Sequence, residues 1–373
     1  MTLETAFAEA YGRPPEGVWR APGRINLIGE HTDYNDGFVL PFALAQGVSA
    51  AAARRDDGVL ELRSLQAPDA VVTVRPGEGK PEGWAAYPAG VAWALSEYPI
   101  RGASLLFDAD LPQGAGLSSS AALECATALA LCELYGVEID RRELALLCQK
   151  AENDYVGVPC GIMDQSASLL CTEGHALMLD CRSGLSSQVP FDPAAAGLTL
   201  LSVDTRAHHA LTGGDYGNRR AECERAAELL NVPALRDVKD LPGALAALSD
   251  PVLRRRVQHV VTENHRVEAA VGLLRAGAVA ELGAMLTASH LSLRDQFEIS
   301  WPEADVAVEE ALRAGARGGR MVGGGFGGSV IVLTATDRVD RVRDAITSAY
   351  ATRGWTEPSI IEARPAPGAN RLT

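Results

Sequence analysis

The chain has no Cys-x-x-Cys pair, no Gly-x-x-x-x-Gly-Lys-Ser/Thr loop, no run of 18 apolar residues and no basic excess. Each absence removes a class of function. The seven cysteines are an odd number, several within apolar helical runs, so they read as small buried hydrophobes. A disulfide framework and a structural zinc site are both excluded on that reading. The seven histidines show no metal spacing; His208 and His209 are adjacent, and adjacent residues do not face one ligand on a helix. A formal net charge of −14 argues against nucleic-acid or anionic-membrane partners, while leaving room for a local basic pocket. Met1-Thr-Leu-Glu-Thr lacks the basic start and apolar core of a secretory leader, and no segment is long enough to span a bilayer. The expected setting is the cytoplasm. Against these absences stand 373 residues, 47% of them hydrophobic, enough for one large or two medium domains with a sizeable core.

The most informative stretch is Pro112-Gln-Gly-Ala-Gly-Leu-Ser-Ser-Ser-Ala-Ala-Leu-Glu124. Two glycines and three hydroxyl residues precede an apolar run of helical period, Ala121, Ala122, Leu123, Ala126, Leu129 and Ala130. The serines are good N-cap chemistry. A glycine loop therefore opens on a helix N-terminus, where free N–H groups and the helix dipole attract an anion such as phosphate. Hydroxyls there can also ligate the hard cation that accompanies a nucleotide triphosphate. The alternative is a Gly-rich turn with an ordinary Ser cap. No Lys follows Gly116, and Ser119 stands where a Rossmann fingerprint needs its third glycine, so neither common phosphate motif fits.

Three further constellations stand out. Ala21-Pro-Gly-Arg-Ile-Asn-Leu-Ile-Gly-Glu-His-Thr-Asp-Tyr-Asn-Asp-Gly37 packs Arg24, Glu30, His31 and Asp33 into one strand-loop segment. Such a set can bond several hydroxyls of one polyol; a polar hairpin facing solvent is the alternative. Lys150 to Gln165 ends one helix, passes a Gly/Pro loop and begins another apolar run at Asp164. Glu152 there reads either as a solvated helical residue or a metal ligand, and Asp164 as a helix N-cap or a base for a hydroxyl. Met321-Val-Gly-Gly-Gly-Phe-Gly-Gly-Ser329 carries five glycines between two strand-like runs and is expected to face a ligand.

The periodicities predict strands at Val18–Arg20, Ile25–Ile28, Phe38–Leu40, Ser104–Ala109, Ala176–Asp180, Leu198–Val203, Gly319–Val322 and Ser329–Leu333. Helices are predicted at 87–98, 119–135, 140–154, 216–231, 251–276, 278–296, 302–315 and Val339–Ala351. No strict βαβ rhythm links them, so the fold class is α+β. Composition becomes helix-rich near residue 200, which sets the expected domains at 1–200 and 201–373.

Taken together, these stretches resemble the three motifs of the GHMP small-molecule kinases, in order and spacing, over nearly the whole chain. Arg24 to Pro41 resembles the galactokinase signature throughout. The resemblance implies the two-domain GHMP kinase fold with its active site in the cleft between domains. It implies Mg²⁺-dependent transfer of the ATP γ-phosphate to the C1 hydroxyl of α-D-galactose, giving galactose 1-phosphate and ADP. Gly114, Ala115, Gly116, Leu117, Ser118, Ser119 and Ser120 would wrap the triphosphate, with Ser120 and Glu152 on Mg²⁺. Glu30, His31, Thr32, Asp33 and Tyr216 would hold the sugar, with Gly161 and Gly214 lining it. Asp164 would face the C1 hydroxyl beside the always-cationic Arg24. Either Asp164 takes the proton, or Arg24 polarises the hydroxyl and Asp164 orients it; a loose transition state permits both. Ser64 and Trp84 are candidates for the base pocket. Galactose and ATP are the expected partners of a monomer. The alternatives are a GHMP kinase for N-acetylgalactosamine, arabinose, mevalonate or homoserine, and a catalytically silent galactose/ATP sensor.

Overall fold

The computed structural model of the chain describes residues 2–75, 77–111, 116–208 and 215–373. Thr2 caps α1 (Leu3–Tyr11) by accepting from the Thr5 amide, and Gly12 closes it at φ +69°. There follow β1 (Gly17–Asn26), β2 (Phe38–Val39), β3 (Pro41–Arg54), β4 (Leu60–Ser64), β5 (Ala67–Val74), α2 (Ala86–Ala94) and β6 (Ala103–Ala109). Next come α3 (Ser119–Leu134), α4 (Arg141–Lys150), α5 (Met163–Leu170), β7 (His175–Asp180), β8 (Ser186–Pro190) and β9 (Leu198–His208). The remainder is α6 (Asp215–Leu229), α7 (Leu241–Ala247), α8 (Pro251–Arg275), α9 (Leu282–Ser292), α10 (Pro302–Arg313), β10 (Gly318–Val322), β11 (Gly327–Ala335), α11 (Val339–Arg353), β12 (Ser359–Ala363) and β13 (Asn370–Arg371).

The largest sheet has the order β13-β1-β3-β6-β4-β5 and is antiparallel except where β4 runs parallel to β6. A four-stranded antiparallel sheet, β10-β11-β9-β12, organises the second half, and β2-β7-β8 forms a small third sheet. The α+β reading holds. α3 is buried nearly all round, as a helix sandwiched in a core must be, and it packs on β1 and β3. One core joins the halves, with Ile25, Leu27 and Phe42 in the same cluster as Leu200, Ile331 and Leu333. A second core around Val257, Phe297, Trp301 and Met321 fills the helix-rich half. All seven cysteines are free thiols, and five of them are buried. No helix among the described residues is long and apolar enough to cross a membrane.

Several expectations change. Val18–Arg20 and Ile25–Ile28 belong to one strand, β1, which ends at Asn26; Leu27 and Ile28 lie beyond it. β3 to β5, β8, β12 and α1 went unpredicted. The alanine run of β3 has weak strand propensity and is held extended by burial between neighbours. The predicted helix 140–154 is α4 followed by a π-helical turn, Ala151–Val156. The predicted helix 278–296 divides into α9 and a second π-helical turn, Leu293–Phe297. The boundary at residue 200 falls inside β9, and the tail beyond residue 363 returns to the first half. There Ala366 bridges Ala43, the Gly368 amide donates to the Cys171 carbonyl, and β13 pairs with β1.

Candidate active site

The site begins at a defect in β1. The register with β3 shifts between Pro22 and Arg24, a bulge of the kind that re-aims a side chain. Gly23 permits it: a Cβ there would lie 2.6 Å from the Leu117 carbonyl oxygen, which accepts from the Arg24 amide at 3.1 Å. The strand carrying the sugar-type motif is thus stitched directly to the phosphate-type loop. Arg24, buried, holds Asp164 bidentately, Nε to Oδ1 at 2.8 Å and Nη2 to Oδ2 at 2.9 Å. Its Nη1 donates to the Gly116 carbonyl at 2.8 Å. Burial opposes the charge of Arg24, but Asp164 and Glu30 more than offset it and hold the guanidinium above its usual range.

Asp164 lies in the first turn of α5, after Ile162 at the cap position, so it is not the N-cap. Its Oδ2 also accepts from the Ser118 hydroxyl. The Ser118 side chain, expected at the triphosphate, is engaged with Asp164 here and does not cap α3. Ser118 itself is left-handed, φ +59°, and α3 begins without a side-chain cap, which leaves its first-turn N–H groups for an anion. Gly116 and Ser119 are exposed at this mouth, while the Leu117 side chain is buried and offers only its backbone. Gly114, Ala115, Gly214 and His209 lie outside the described residues.

The loop Gly29–Gly37 is built from inside. Thr32 is fully buried and donates to the Gly29 carbonyl at 2.8 Å and the Phe38 carbonyl at 2.6 Å. In this structure its hydroxyl is engaged with the loop's own carbonyls and shapes the loop from inside. His31 is left-handed at φ +62°; its Nδ1 meets the Tyr34 hydroxyl at 2.7 Å and its Nε2 the Gly324 carbonyl at 3.2 Å. Burial, then the neighbouring His259, lowers His31 to about 3. Both ring nitrogens are engaged, and the ring packs against Tyr34, Tyr216 and Phe297. His31 therefore positions the aromatic wall in this structure. Tyr216, at the start of α6, stands edge-on to Tyr34 with ring centroids 5.6 Å apart. Asp33 is raised to about 7 by burial, then by the Asp164 carboxylate. A side chain at Gly161 would collide with that Asp33 carboxylate, so glycine is required where the loop before α5 passes it.

Glu30 is held from the other half. Its Oε1 accepts from the Gly323 amide at 2.8 Å and lies 3.3 Å from Nη2 of Arg320, a fully buried arginine on β10. A Cβ at Gly323 would sit 3.2 Å from the Gly116 carbonyl. The third glycine motif thus touches the other two, and these glycines pack on protein. From α8, Glu263 accepts the Gly29 amide, Asn264 accepts the Phe38 amide and His259 meets the Glu30 carbonyl. Burial pushes Glu263 up, but Arg266, His259 and Arg320 outweigh it and hold the carboxyl at about 2.

The two residues expected on the metal, Ser120 and Glu152, lie near each other. Glu152, on the π-helical turn, is buried rather than solvated, and the nearby Ser120 hydroxyl favours its charged form. Glu124 and Gln165 close this corner and were not expected. Burial pushes both Glu124 and Glu152 upward, reinforced for Glu124 by the Glu152 charge and for Glu152 by the Asp164 charge. Ser64 and Trp84 converge on one residue, since Ser64 pairs with Phe107 across the sheet and Trp84 stands edge-on to its ring. A shallow depression of about 710 Å³ among Tyr11, Arg54, Arg55 and Glu61 lies elsewhere. It opens at the opposite end of β3 from Ala43, roughly 35 Å away at strand rise.

A family model described as the galactokinase galactose-binding signature matches residues 5–54. The GHMP kinase N-terminal and C-terminal domain models match 86–172 and 270–352. The galactokinase of Streptomyces coelicolor is 53% identical over 100% of this chain and 98% of its own length. The chain belongs to the galactokinase family of the GHMP kinases. A galactokinase of Mycobacterium tuberculosis is 45% identical over 94% of this chain and 97% of its own. The crystal structure of Lactococcus lactis galactokinase complexed with galactose superposes at a TM-score of 0.95, with 34% identity and 99% of each chain covered. A mevalonate kinase at 16% identity and TM-score 0.66 shares the fold alone. In this galactokinase-family chain the signature match, residues 5–54, includes the Arg24–Gly37 segment, whose side chains meet both the α3 mouth and the β10–β11 loop.

Proposed function

We propose that this galactokinase-family enzyme transfers the γ-phosphoryl group of ATP to the C1 hydroxyl of α-D-galactose, releasing galactose 1-phosphate and ADP. The observation that carries the proposal is Arg24, which clamps Asp164 with one edge and the Gly116 carbonyl with the other. One cation thereby touches the proposed sugar carboxylate and the proposed phosphate loop. Phosphoryl transfer asks a protein chiefly for in-line placement and for neutralisation of charge. Asp164 accepts from three fixed donors, two on Arg24 and one on Ser118. Such a carboxylate orients the C1 hydroxyl, while Arg24 stabilises charge on the transferring group. Asp33, Glu30 and the ring of Tyr216 supply the sugar wall.

Mg²⁺ fits Ser120 and Glu152. Both offer hard oxygen, and the Ser120 hydroxyl is near enough to Glu152 to favour its charged form. Among the described residues no group of three or more His, Cys, Asp or Glu forms a cage for a metal. When bound, the ion neutralises triphosphate charge. The same reading makes the enzyme a cytoplasmic monomer. The test is ADP release with a panel of galactose, N-acetylgalactosamine, arabinose, mevalonate and homoserine. Galactose should give by far the highest kcat/KM; binding of galactose and ATP without ADP release would overturn the proposal.

A further inference from the structure

The corner behind Glu152 holds more polar side chain than its fold needs. Gln165 follows Asp164 on α5 and is fully buried. Its Nε2 lies 2.7 Å from Oε2 of Glu152 and 3.1 Å from Oε2 of Glu124. One amide group therefore donates to two carboxyl groups, one from the π-helical turn and one from the middle of α3. Glu124 is fully buried in a helix that is otherwise alanine, leucine, cysteine and threonine on its inward faces. Its Oε1 and the Oε1 of Gln165 have no hydrogen-bond partner. A buried acid with an orphaned oxygen costs stability, and an apolar residue of like size would be the more stable filling. Such a residue in a core points to a role other than packing.

We propose that Gln165, braced by Glu124, is a positioning residue that aims the Glu152 carboxylate at the nucleotide-bound cation. The inference rests on the reading of Ser120 and Glu152 as the Mg²⁺ ligands. The logic is that of groups which orient a metal-binding side chain from behind. Glu152 sits on a π-helical turn, so its backbone alone does not fix it at the helix register of α4. Gln165 ties Oε2 inward, with the Cys160 thiol adding a weak contact at 3.4 Å. Glu124 prevents the amide from rotating away. Because Gln165 adjoins Asp164, the same stretch of α5 serves the hydroxyl end and the cation end of the transfer.

The test measures Mn²⁺ binding to the enzyme–ADP complex by electron paramagnetic resonance, with thermal melting and galactose Kd alongside. Gln165→Leu should weaken Mn²⁺ binding about 10- to 100-fold, the usual effect of removing an orienting partner, and leave galactose Kd within about 3-fold. Glu124→Leu should weaken Mn²⁺ binding in the same direction while raising the melting temperature. Glu124→Gln, which can still accept from Gln165, should restore Mn²⁺ binding to within about 3-fold of the parent. Should Gln165→Leu fail to fold, the two Glu124 variants carry the test. Unchanged Mn²⁺ affinity in Glu124→Leu and Gln165→Leu, with loss in Glu152→Gln, would overturn the positioning role and leave the metal reading standing. Unchanged affinity in Glu152→Gln would overturn the metal reading itself.

Discussion

The two sides of the cleft are built in opposite ways. The loop Gly29–Gly37 is pinned from below and from the far half of the molecule: Thr32 ties it to itself, α8 holds two of its groups and the Phe38 amide just after it, and β10 contributes Arg320. The described phosphate side, Gly116–Ser120, has an exposed glycine, an exposed serine and a helix start without a side-chain cap. Sugar hydroxyls must be told apart by direction, which favours a rigid wall of committed side chains. A triphosphate is recognised by charge and by backbone N–H groups, which favours a helix mouth left open. Arg24 and Ser118 are where the two designs join, both on Asp164.

Substitutions should separate the two sides by where their cost appears. Asp33 is the extreme case on the rigid side. Its folded pKa of about 7 lies above the ordinary aspartate value of 3.8, so its contribution to stability is intact below about pH 4 and is lost as pH rises through 7. Asp33→Asn should therefore stabilise the free protein at pH 8 by up to about 4 kcal/mol, with the gain vanishing near pH 4. Denaturant melts at a series of pH values would show it, and a gain that grows as pH falls would refute the assignment. Where the sides join, Asp164→Asn should lower kcat at least ~10²-fold while galactose still binds; near-normal turnover would remove Asp164 from the chemistry.

Thr32→Val keeps the shape and removes the donor to two carbonyls, so it should cost about 1–3 kcal/mol of stability. The matching change on the open side, Ser119→Ala, should stay within about 0.5 kcal/mol, and equal losses in calorimetry would erase the contrast. Ser120→Ala should raise the Mg²⁺ and ATP requirement about 10-fold without moving the galactose KM. A shift in the galactose KM alone would transfer Ser120 to the sugar side.

Much of this was legible in the residues. Arg24, Asp33, Asp164 and Glu152 could be picked out because charge stands in short, glycine-punctuated segments beside apolar runs. The α+β class followed from strand and helix periods. The two bonds of Thr32 to its own loop were not legible, because a hydroxyl in a polar loop looks the same in sequence whether it faces a ligand or neighbouring carbonyls. The glycines of 323–328 were read as facing a ligand, when two of them are needed where Gly323 nears Gly116 and Gly325 nears Ile299. Arg320 and Glu124 carried a signal that went unused, a lone charge inside an apolar strand and an apolar helix. The contributions of His259, Glu263 and Asn264 had none, since α8 meets the sugar loop only in three dimensions. The π-helical turns also leave no periodic trace, yet one delivers Glu152 and the other Phe297 to the site.

The most direct test of the whole account is a crystal of the enzyme with galactose and a non-hydrolysable ATP analogue, read at one distance. The C1 oxygen should lie within hydrogen-bond reach of Asp164, roughly 2.6–3.2 Å, with the terminal phosphate between it and the start of α3. A C1 oxygen turned toward Tyr216 or solvent, with Arg24 touching neither ligand, would contradict it.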